Sequence, residues 1–257
     1  MKIALIISDV DGCLTEERAS AFNLSYLSKI REFNEQALQH GSPVPLLTLC
    51  TGRPQPYVEA LLKILDVKLP AICENGGMIY QVEGNRYIQS DRYTVEWERR
   101  IQDIKQAIVS KVLPDAPATF QTGKETHLTL ISTDHDGILS TASILKSRLE
   151  TELKPFVLTV TENCLNIVPE SFDKGTALLQ LSQMLQIPLD RIAAIGDTSG
   201  DLPFMSRVKY PMCPANAAKI VKDMSSYTAK QPYTAGVIEI IETCIEINRG
   251  VRVENEE

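Results

Sequence analysis

The sequence predicts an α/β protein whose core is a doubly wound, mainly parallel sheet, with a second α+β domain inserted into it. Two observations predict this fold. Toward both ends of the chain, short apolar strands alternate with amphipathic helices, which is typical of right-handed crossover connections. In the middle, longer helices combine with strands of alternating polarity, which favours an antiparallel α+β layer.

The first part of the chain repeats a strand followed by a helix. Residues 3–7 are all apolar, as expected for a central parallel strand that is buried on both faces. A helix is predicted over residues 24–38, where apolar side chains recur at helical spacing. Gly41, Ser42 and Pro43 end this helix. The next predicted elements are a strand over 45–50, a helix over 57–65 and a third short strand over 71–73.

The pattern changes near residue 82 and returns near residue 169. Between them we predict two helices and about four strands. These elements include a helix over 93–113, a strand over 126–131, a helix over 139–153, and strands over 156–161 and 164–168. We therefore predict a core domain made of residues 1–81 and 169–257, with residues 82–168 as the inserted domain.

The second core segment again alternates helices and strands. A helix is predicted over 175–185 and an apolar strand over 192–195. After another helix come a short strand over 210–213 and further helix. These elements complete the doubly wound sheet that residues 1–81 begin.

Bulk properties exclude several classes of protein. The net charge of −7 would repel nucleic-acid phosphates, so we expect no nucleic-acid partner. The apolar stretch over residues 3–7 is too short for a signal peptide, and no segment is long and apolar enough to cross a membrane. The six cysteines form no C-x-x-C pair, which favours buried thiols in a cytoplasmic protein. The oligomeric state is not predicted.

Two acidic elements follow predicted strands. Asp9 and Asp11 come directly after the first strand, and Asp197 and Asp201 come after the strand over 192–195. Open α/β sheets bind ligands beyond the carboxyl ends of their strands. Residues i and i+2 of an extended chain project to the same side, so Asp9 and Asp11 can share one space. Carboxylate oxygens of this kind suit Mg²⁺, which keeps some of its waters and needs few protein ligands.

Such a site can also transfer a phosphoryl group. One carboxylate can attack phosphorus and form an aspartyl phosphate, while another protonates the leaving oxygen and later activates water. The phosphoryl oxygens need donors. Thr51 offers a hydroxyl and, together with Gly52, backbone N–H groups at a helix start, and Lys174 offers a positive charge.

These motifs, in this order, resemble those of the haloacid dehalogenase superfamily. The motifs are Asp9-Val10-Asp11-Gly12, Thr51-Gly52-Arg53, Asn75-Gly76, Lys174-Gly175 and Gly196-Asp197-Thr198-Ser199-Gly200-Asp201. The position of the insertion is similar to that of type C2 caps. This combination resembles the Cof-like branch, which includes sucrose-phosphate and mannosyl-phosphoglycerate phosphatases.

The resemblance implies a Mg²⁺-dependent phosphatase that acts on a small phosphorylated substrate, a sugar phosphate in this branch. It implies a role for each matching residue. The implied roles are Asp9 as nucleophile and metal ligand, Asp11 as general acid/base that also binds the metal through its backbone carbonyl, Thr51 and Lys174 as phosphoryl-binding residues, Asp197 as a metal ligand and Asp201 as support for the metal.

Four further residues are candidates for substrate binding. Gly52 belongs to the phosphoryl-binding motif. Arg53 either faces the substrate or pairs on the surface, and Asn75 either contacts the substrate or only forms a turn. Asn216 matches an asparagine that the branch usually carries on a late loop, where it would contact the phosphate or the substrate.

Two positions depart from the family pattern. Cys13 stands where the family usually has threonine. Gly200 stands where the branch usually has asparagine, which removes a contact that would reach the phosphate or Lys174. The departure at Gly200 affects the details around the metal and the phosphate, while the implied reaction is unchanged.

Several alternatives stay open at this point. A second D-x-D-G motif begins at Asp134, and we interpret it as a turn and helix cap, because no further acidic element accompanies it. Lys124, Glu125 and His127 either touch the leaving group or form a solvated strand edge. A phosphosugar mutase would use the same aspartates, although Arg148 is the only arginine between residues 114 and 168. A binding protein that has lost catalysis is the third alternative.

Overall fold

The computed structural model of the protein describes residues 2–16, 21–161 and 163–250. Its helices are α1 (Leu24–Ala37), α2 (Gln55–Ile64), α3 (Val95–Lys111), α4 (His135–Arg148), α5 (Lys174–Leu185), α6 (Leu202–Met205), α7 (Lys219–Met224) and α8 (Tyr233–Arg249). Its strands are β1 (Leu5–Ser8), β2 (Leu46–Leu49), β3 (Ala71–Cys73), β4 (Met78–Gln81), β5 (Arg86–Gln89), β6 (Thr119–Phe120), β7 (Leu128–Ile131), β8 (Phe156–Thr161), β9 (Cys164–Pro169), β10 (Ile192–Ile195), β11 (Tyr210–Cys213) and β12 (Tyr227–Thr228). The sequence also predicts a turn at Glu162-Asn163, between the strands over 156–161 and 164–168, and Glu162 lies outside the described residues.

The central sheet has five parallel strands in the order β12-β11-β10-β1-β2. Strand β1 lies between β10 and β2, and Ser8 aligns with both Ile195 and Leu49. The loops that follow β1, β2 and β10 therefore leave the same edge of the sheet side by side. The predicted α/β fold class is confirmed.

Alternate residues of β1 pack into two different hydrophobic layers. Ile6 packs with residues of α1, α2 and α8 on one face, whereas Leu5 and Ile7 pack with residues of α5, α6 and α7 on the other. Side chains of successive strand residues point to opposite faces, so an apolar strand with helices on both sides is buried completely. All three of these side chains have no exposed area.

The third predicted strand differs from the expectation that it continues the parallel sheet. Strand β3 meets the central sheet through a single parallel bridge between Cys50 and Ile72, and it forms an antiparallel sheet with β4 and β5. The reason lies in the turn after β3, where Glu74, Asn75 and Gly76 all have positive φ. This left-handed turn sends the chain straight back along β3.

Residues of the predicted insertion build a four-stranded antiparallel sheet in the order β6-β7-β9-β8. Helices α3 and α4 cover one face of this sheet through a third hydrophobic cluster, which includes Ile108, Leu130, Leu145 and Ile167. The two predicted helices and four strands are therefore present. Strand β5 packs Ile88 against the core layer that contains Leu5, so the antiparallel sheet before residue 90 belongs with the core by its contacts.

The second D-x-D-G motif caps helix α4. The side chain of Asp134 accepts a hydrogen bond from the backbone N–H of Gly137 at 2.7 Å. An aspartate in this position satisfies one of the unpaired N–H groups of the first helical turn. The prediction of a turn and helix cap is confirmed.

The sequence also predicted the state of the cysteines and the lack of a membrane-spanning segment. The six cysteines are buried thiols, as predicted. None of the helices within the described ranges combines the length and apolar character that crossing a bilayer requires.

Candidate active site

The acidic loops after β1 and β10 meet at one point. The backbone N–H of Asp9 donates to the carbonyl of Ile195 at 2.8 Å, which joins the two strand ends. Carboxylate oxygens of Asp9, Asp197 and Asp201 all lie within 4.8 Å of one another. The convergence that the sequence predicts is present for these three residues.

Asp201 organises the second acidic loop. Its Oδ2 accepts the backbone N–H groups of Asp197 and Thr198, both at 3.0 Å. Its Oδ1 accepts from Lys174 Nζ at 2.6 Å. The Thr198 hydroxyl also donates to Oδ2, at 3.3 Å, so this carboxylate, which has no exposed area, fixes the loop that carries Asp197.

Lys174 connects the two acidic loops. It begins helix α5, which Asp173 caps through the N–H of Thr176 at 2.8 Å. The Nζ of Lys174 lies 2.8 Å from Asp9 Oδ1 and 2.6 Å from Asp201 Oδ1. Burial alone would favour the neutral amine, but the nearby charges of Asp201 and Asp9 outweigh it and raise the pKa of Lys174 well above its usual value. The predicted cation is therefore in contact with the predicted nucleophile.

Burial makes ionisation of the carboxyl groups in the acidic cluster unfavourable unless a positive charge lies nearby. Burial, reinforced by the charge of Asp201, raises the pKa of Asp197 to about 7. Burial also raises the pKa of Asp9 well above its ordinary value. Like charges in a small volume disfavour one another's ionisation, and a divalent cation removes this cost. An all-oxygen cluster with unfavourable ionisation fits a hard cation such as Mg²⁺.

Gly12 leaves room for this cluster. It adopts φ +81°, and a Cβ atom at this position would lie 2.1 Å from Asp197 Oδ2. A glycine is therefore required both by the left-handed backbone and by the close approach of Asp197. Cys13, the first departure from the family pattern, has its Sγ 3.9 Å from Asp197 Oδ1.

Asp11 and Arg53 form a two-pronged ion pair. Arg53 Nε donates to Asp11 Oδ2 at 2.7 Å, and Arg53 Nη2 donates to Asp11 Oδ1. The guanidinium also lies 4.7 Å from the centre of the Tyr57 ring, a favourable cation–π distance. Of the two interpretations left open for Arg53, the structure shows a pairing, and the partner is a predicted catalytic residue.

Thr51 differs in one respect from the prediction. Its backbone N–H donates to the carbonyl of Ile72 at 3.0 Å, and so does not serve as a phosphoryl donor. The cause is the bridge that joins β2 to β3. Its hydroxyl accepts the N–H of Arg53 at 3.1 Å, and helix α2 begins only at Gln55, so the Thr51-Gly52 segment is a turn that precedes the helix.

Asn75 packs against the Thr51-Gly52 turn. Its backbone N–H donates to the carbonyl of Thr51 at 3.1 Å, and a Cβ atom on Gly52 would lie 2.8 Å from Asn75 Oδ1. On its other side, Asn75 Nδ2 lies 3.4 Å from His127 Nε2. Asn75 therefore lies between the predicted phosphoryl-binding turn and the inserted domain.

Comparison with known proteins gives the family. The family model for haloacid dehalogenase-like hydrolases matches residues 6–113 and 101–241, which together span most of the chain. The chain belongs to the haloacid dehalogenase-like hydrolase family. The resemblance seen in the sequence is confirmed, and with it the assignment of the protein as a phosphatase enzyme.

Three relatives of this haloacid dehalogenase-like chain illustrate the match. A phosphoglycolate phosphatase of Methanothrix thermoacetophila is 29% identical over 240 residues, which cover 93% of this chain and 96% of the relative. A solved structure from Thermoplasma acidophilum has a TM-score of 0.73 at 21% identity and covers 95% of this chain and 99% of that one. A HAD/Cof-like hydrolase from Plasmodium vivax has a TM-score of 0.72 at 17% identity, with 95% of both chains covered. Both solved structures share the fold of this chain.

Asn216 has backbone partners in this haloacid dehalogenase-like protein. Its Nδ2 donates to the carbonyl of Gly12 at 2.9 Å, and its Oδ1 accepts the N–H of Tyr233 at 2.7 Å. These bonds tie the loop after β1 to the start of α8. They support a positioning role, and the predicted contact with phosphate or substrate stays a prediction.

Gly200 has open space around it in the acidic loop after β10. A Cβ atom there would meet only Thr198 Oγ1, at an ordinary distance of 3.6 Å. The Cβ atom of the asparagine that the branch usually carries would therefore fit without movement of the backbone. The glycine therefore removes an amide group from the site without a change in the local backbone.

Glu74 is a buried acid at the site that no sequence motif predicted. This residue has no exposed area, and its Oε2 accepts three hydrogen bonds, from the N–H of Glu125 at 3.0 Å and from the N–H and hydroxyl of Thr126 at 2.8 Å. Burial raises the pKa of Glu74. Glu74 thus fastens the inserted domain to the core beside Asn75. The only sequence signal was an acid that directly follows an apolar strand.

Proposed function

We propose that the protein is a Mg²⁺-dependent phosphomonoester hydrolase that acts through an aspartyl phosphate on Asp9. The observation that carries the proposal is the contact of Asp9 with Lys174 at 2.8 Å, inside the cluster of three carboxylates. A nucleophilic carboxylate next to a fixed cation and a metal-binding cluster is the arrangement that phosphoryl transfer needs.

The metal would be held by oxygen atoms of both acidic loops. The proposed ligands are Asp9, Asp197 and the backbone carbonyl of Asp11, with Asp201 as support. When bound, Mg²⁺ would neutralise charge on the transferring phosphoryl group. The raised pKa of Asp197 supports this proposal, because a cation favours the carboxylate form.

In the first step, a carboxylate oxygen of Asp9 attacks phosphorus and the bond from phosphorus to the leaving oxygen breaks. Asp11 gives a proton to that oxygen, which leaves as an alcohol. In the second step, water attacks the aspartyl phosphate and Asp11 takes its proton. Phosphate departs and the Asp9 carboxylate is restored.

The Asp11–Arg53 ion pair affects how Asp11 can act in these two reaction steps. The guanidinium binds both carboxylate oxygens of Asp11, so it competes with the leaving oxygen for this carboxyl group. We propose that Arg53 turns to the substrate when it binds. Binding energy from the rest of the substrate would drive this exchange.

The phosphoryl oxygens need donors on the remaining sides. We propose the Lys174 ammonium, the Thr51 hydroxyl and the turn at Gly52 for this role, with Asn75 next to the turn. We also propose a contact of Asn216 with phosphate at the same site, where its side chain binds two backbone groups.

We propose residues 82–168 as the insertion that forms the cap, with residues 1–81 and 169–257 as the catalytic core; the first strand of the insertion, β5, packs on that core. A separate hydrophobic cluster within the insertion supports this division. A cap over the site would exclude bulk water and select the leaving group. We also propose a cytoplasmic location, which the six buried thiols support.

Two substrate classes are proposed for comparison. The Cof-like resemblance favours a sugar phosphate, and the names of the curated relatives, which are phosphoglycolate phosphatases, favour a short phosphorylated acid. A screen of both classes for phosphate release, with Mg²⁺ and with chelator, separates them. A phosphosugar mutase is disfavoured, because Arg148 pairs with Asp115 on the surface of the insertion, whereas a mutase needs basic groups that grip a bisphosphate.

The decisive experiment compares the wild type with Asp9→Asn on p-nitrophenyl phosphate. We expect phosphate release to fall by about a thousandfold or more, since the nucleophile is lost. Added chelator should abolish the wild-type rate, and Mg²⁺ should restore it. Equal rates for the two proteins would overturn the proposal and favour a binding protein. Thermal unfolding of both variants controls for folding.

A further inference from the structure

Helices α3 and α4 lie on one face of the sheet of the inserted domain. Leu130, Leu165 and Ile167 point to the helices α3 and α4. Their strand neighbours Thr129 and Asn166 face the other way, and these two residues are paired across the sheet. We call this second face the polar face. It carries hydroxyl and amide groups at the position where β7, β8 and β9 lie side by side.

A lysine is held over the polar face. Lys124 Nζ donates to Thr129 Oγ1 at 2.8 Å and lies 3.0 Å from His127 Nε2. Thr129 Oγ1 in turn donates to Asn166 Oδ1 at 2.8 Å. Two acceptors therefore orient the ammonium, although lysine side chains are usually mobile and solvated.

His127 acts as one of these acceptors. It has no exposed area, and burial, with a smaller effect from the charge of Lys124, lowers its pKa well below the usual value. The imidazole is therefore neutral, and Nε2 offers its lone pair to Lys124, which puts the proton on Nδ1. Within the described part of the chain, Nδ1 is buried and makes no hydrogen bond.

The polar face is joined to the catalytic core at this point. His127 Nε2 lies 3.4 Å from Asn75 Nδ2, and Asn75 packs against Gly52 of the predicted phosphoryl-binding turn. Glu74 holds the preceding residue, Thr126, through two hydrogen bonds. Lys124 is thus linked to the phosphoryl-binding turn through two side chains, those of His127 and Asn75.

We propose that Lys124 is a specificity residue that binds a carboxylate on the leaving group, and that His127 is its positioning residue. The substrate class that follows is a short carboxylic acid carrying a phosphate ester. This inference rests on the proposed function. Threonine and asparagine side chains are sufficient to hydrogen-bond a neutral sugar hydroxyl. An oriented ammonium binds an anionic acceptor more strongly, because charge-assisted hydrogen bonds are shorter and stronger.

The test compares two substrates that differ in the leaving group. One is 2-phosphoglycolate, and the other is glycerol phosphate, whose leaving group is neutral. For Lys124→Met, we expect KM for 2-phosphoglycolate to rise by about tenfold or more, as for the loss of a charge-assisted hydrogen bond. The kcat/KM for glycerol phosphate should stay within about twofold of wild type. Lys124→Arg should recover part of the loss, and Lys154→Met, an exposed lysine of the same domain, is the control without effect.

His127→Gln provides the second readout. A positioning role predicts the same selective rise in KM for 2-phosphoglycolate, smaller than for Lys124→Met, and no change for glycerol phosphate. A purely structural role predicts equal losses on both substrates. Equal losses in both variants, or unchanged KM for 2-phosphoglycolate in Lys124→Met, would overturn the proposal.

Calorimetry separates this inference from the proposed function. Asp9→Asn should bind 2-phosphoglycolate without turnover, and addition of Lys124→Met to that variant should weaken binding by about tenfold. If the wild type releases no phosphate from any ester, the proposed function fails. The binding comparison then still decides the subsite, because it does not depend on catalysis.

Discussion

Gly12 and Asp197 approach so closely that a Cβ atom on Gly12 would stand 2.1 Å from Asp197 Oδ2. The two residues lie on different loops, and their contact brings the acidic elements after β1 and β10 together. The shape of the proposed metal site therefore depends on a residue that offers no side chain.

This contact predicts that Gly12→Ala damages the site more than the fold. We expect kcat/KM to fall by about a hundredfold, because a displacement near 1 Å of a catalytic group has an effect of that size. Gly41→Ala is the matched control, since Gly41 also has positive φ, at +77°, but no atom lies within 4 Å of its added Cβ. Steady-state kinetics and urea unfolding of both variants measure the two effects. Equal loss of activity in the two variants would argue against the contact.

Removal of the charge of Lys174 should affect both stability and catalysis. Lys174→Met leaves Asp9 and Asp201 buried without their shared cation, so the free energy of unfolding should fall by about 3–5 kcal/mol in the absence of metal. The rate constant kcat should fall by about 100-fold to 1000-fold, as for the loss of an oxyanion donor. Lys219→Met removes a lysine that pairs on the surface with Asp223, and it should change neither quantity. Full activity of Lys174→Met on p-nitrophenyl phosphate would remove this lysine from the proposed mechanism.

Burial of His127 predicts a pH-dependent stability. Its pKa in the folded protein is lowered well below 6.5, so the unfolded chain binds more protons between these two pKa values. Stability contributed by neutral His127 is thus present above about pH 6.5 and is lost as the pH falls below it, by up to about 1.4 kcal/mol per pH unit. Urea unfolding between about pH 5 and pH 8 measures this slope.

The variant His127→Gln should flatten that profile, whereas His40→Gln, at an exposed position, should leave it as in wild type. The neighbouring Glu74 acts in the opposite direction, because burial raises its pKa and its contribution falls as the pH rises through the acidic range. A profile that is identical in wild type and His127→Gln would show that His127 does not titrate differently in the folded and unfolded chains.

The open space at Gly200 predicts that the family's usual asparagine is accepted. Gly200→Asn should leave the unfolding temperature nearly unchanged, because only Thr198 Oγ1 lies near the new Cβ, at 3.6 Å. The added amide supplies a donor near the phosphate, so inhibition by inorganic phosphate should become about fivefold to tenfold stronger. Gly200→Ala controls for the backbone effect and should leave the inhibition constant at its wild-type value. An unchanged inhibition constant in Gly200→Asn would show that the asparagine does not reach the phosphate in this protein.

The sequence by itself determined the layers of the fold and the identity of the acidic cluster. Periodicity in an apolar strand and its helices is a local property, so β1, α1 and β10 were predictable within a few residues. The carboxyl ends of neighbouring parallel strands share one edge of a sheet, which made the meeting of Asp9 with Asp197 predictable as well.

Tertiary structure alone decided which partners these residues have. The pairing of Arg53 with Asp11, the backbone partners of Asn216 and the three hydrogen bonds of Glu74 depend on side-chain directions at loops, and no periodic pattern records these directions. The antiparallel return of β3 likewise depends on positive φ at Glu74 and Asn75, which are not glycines. Contacts between residues far apart in the chain are settled by packing, and packing is a property of the whole fold.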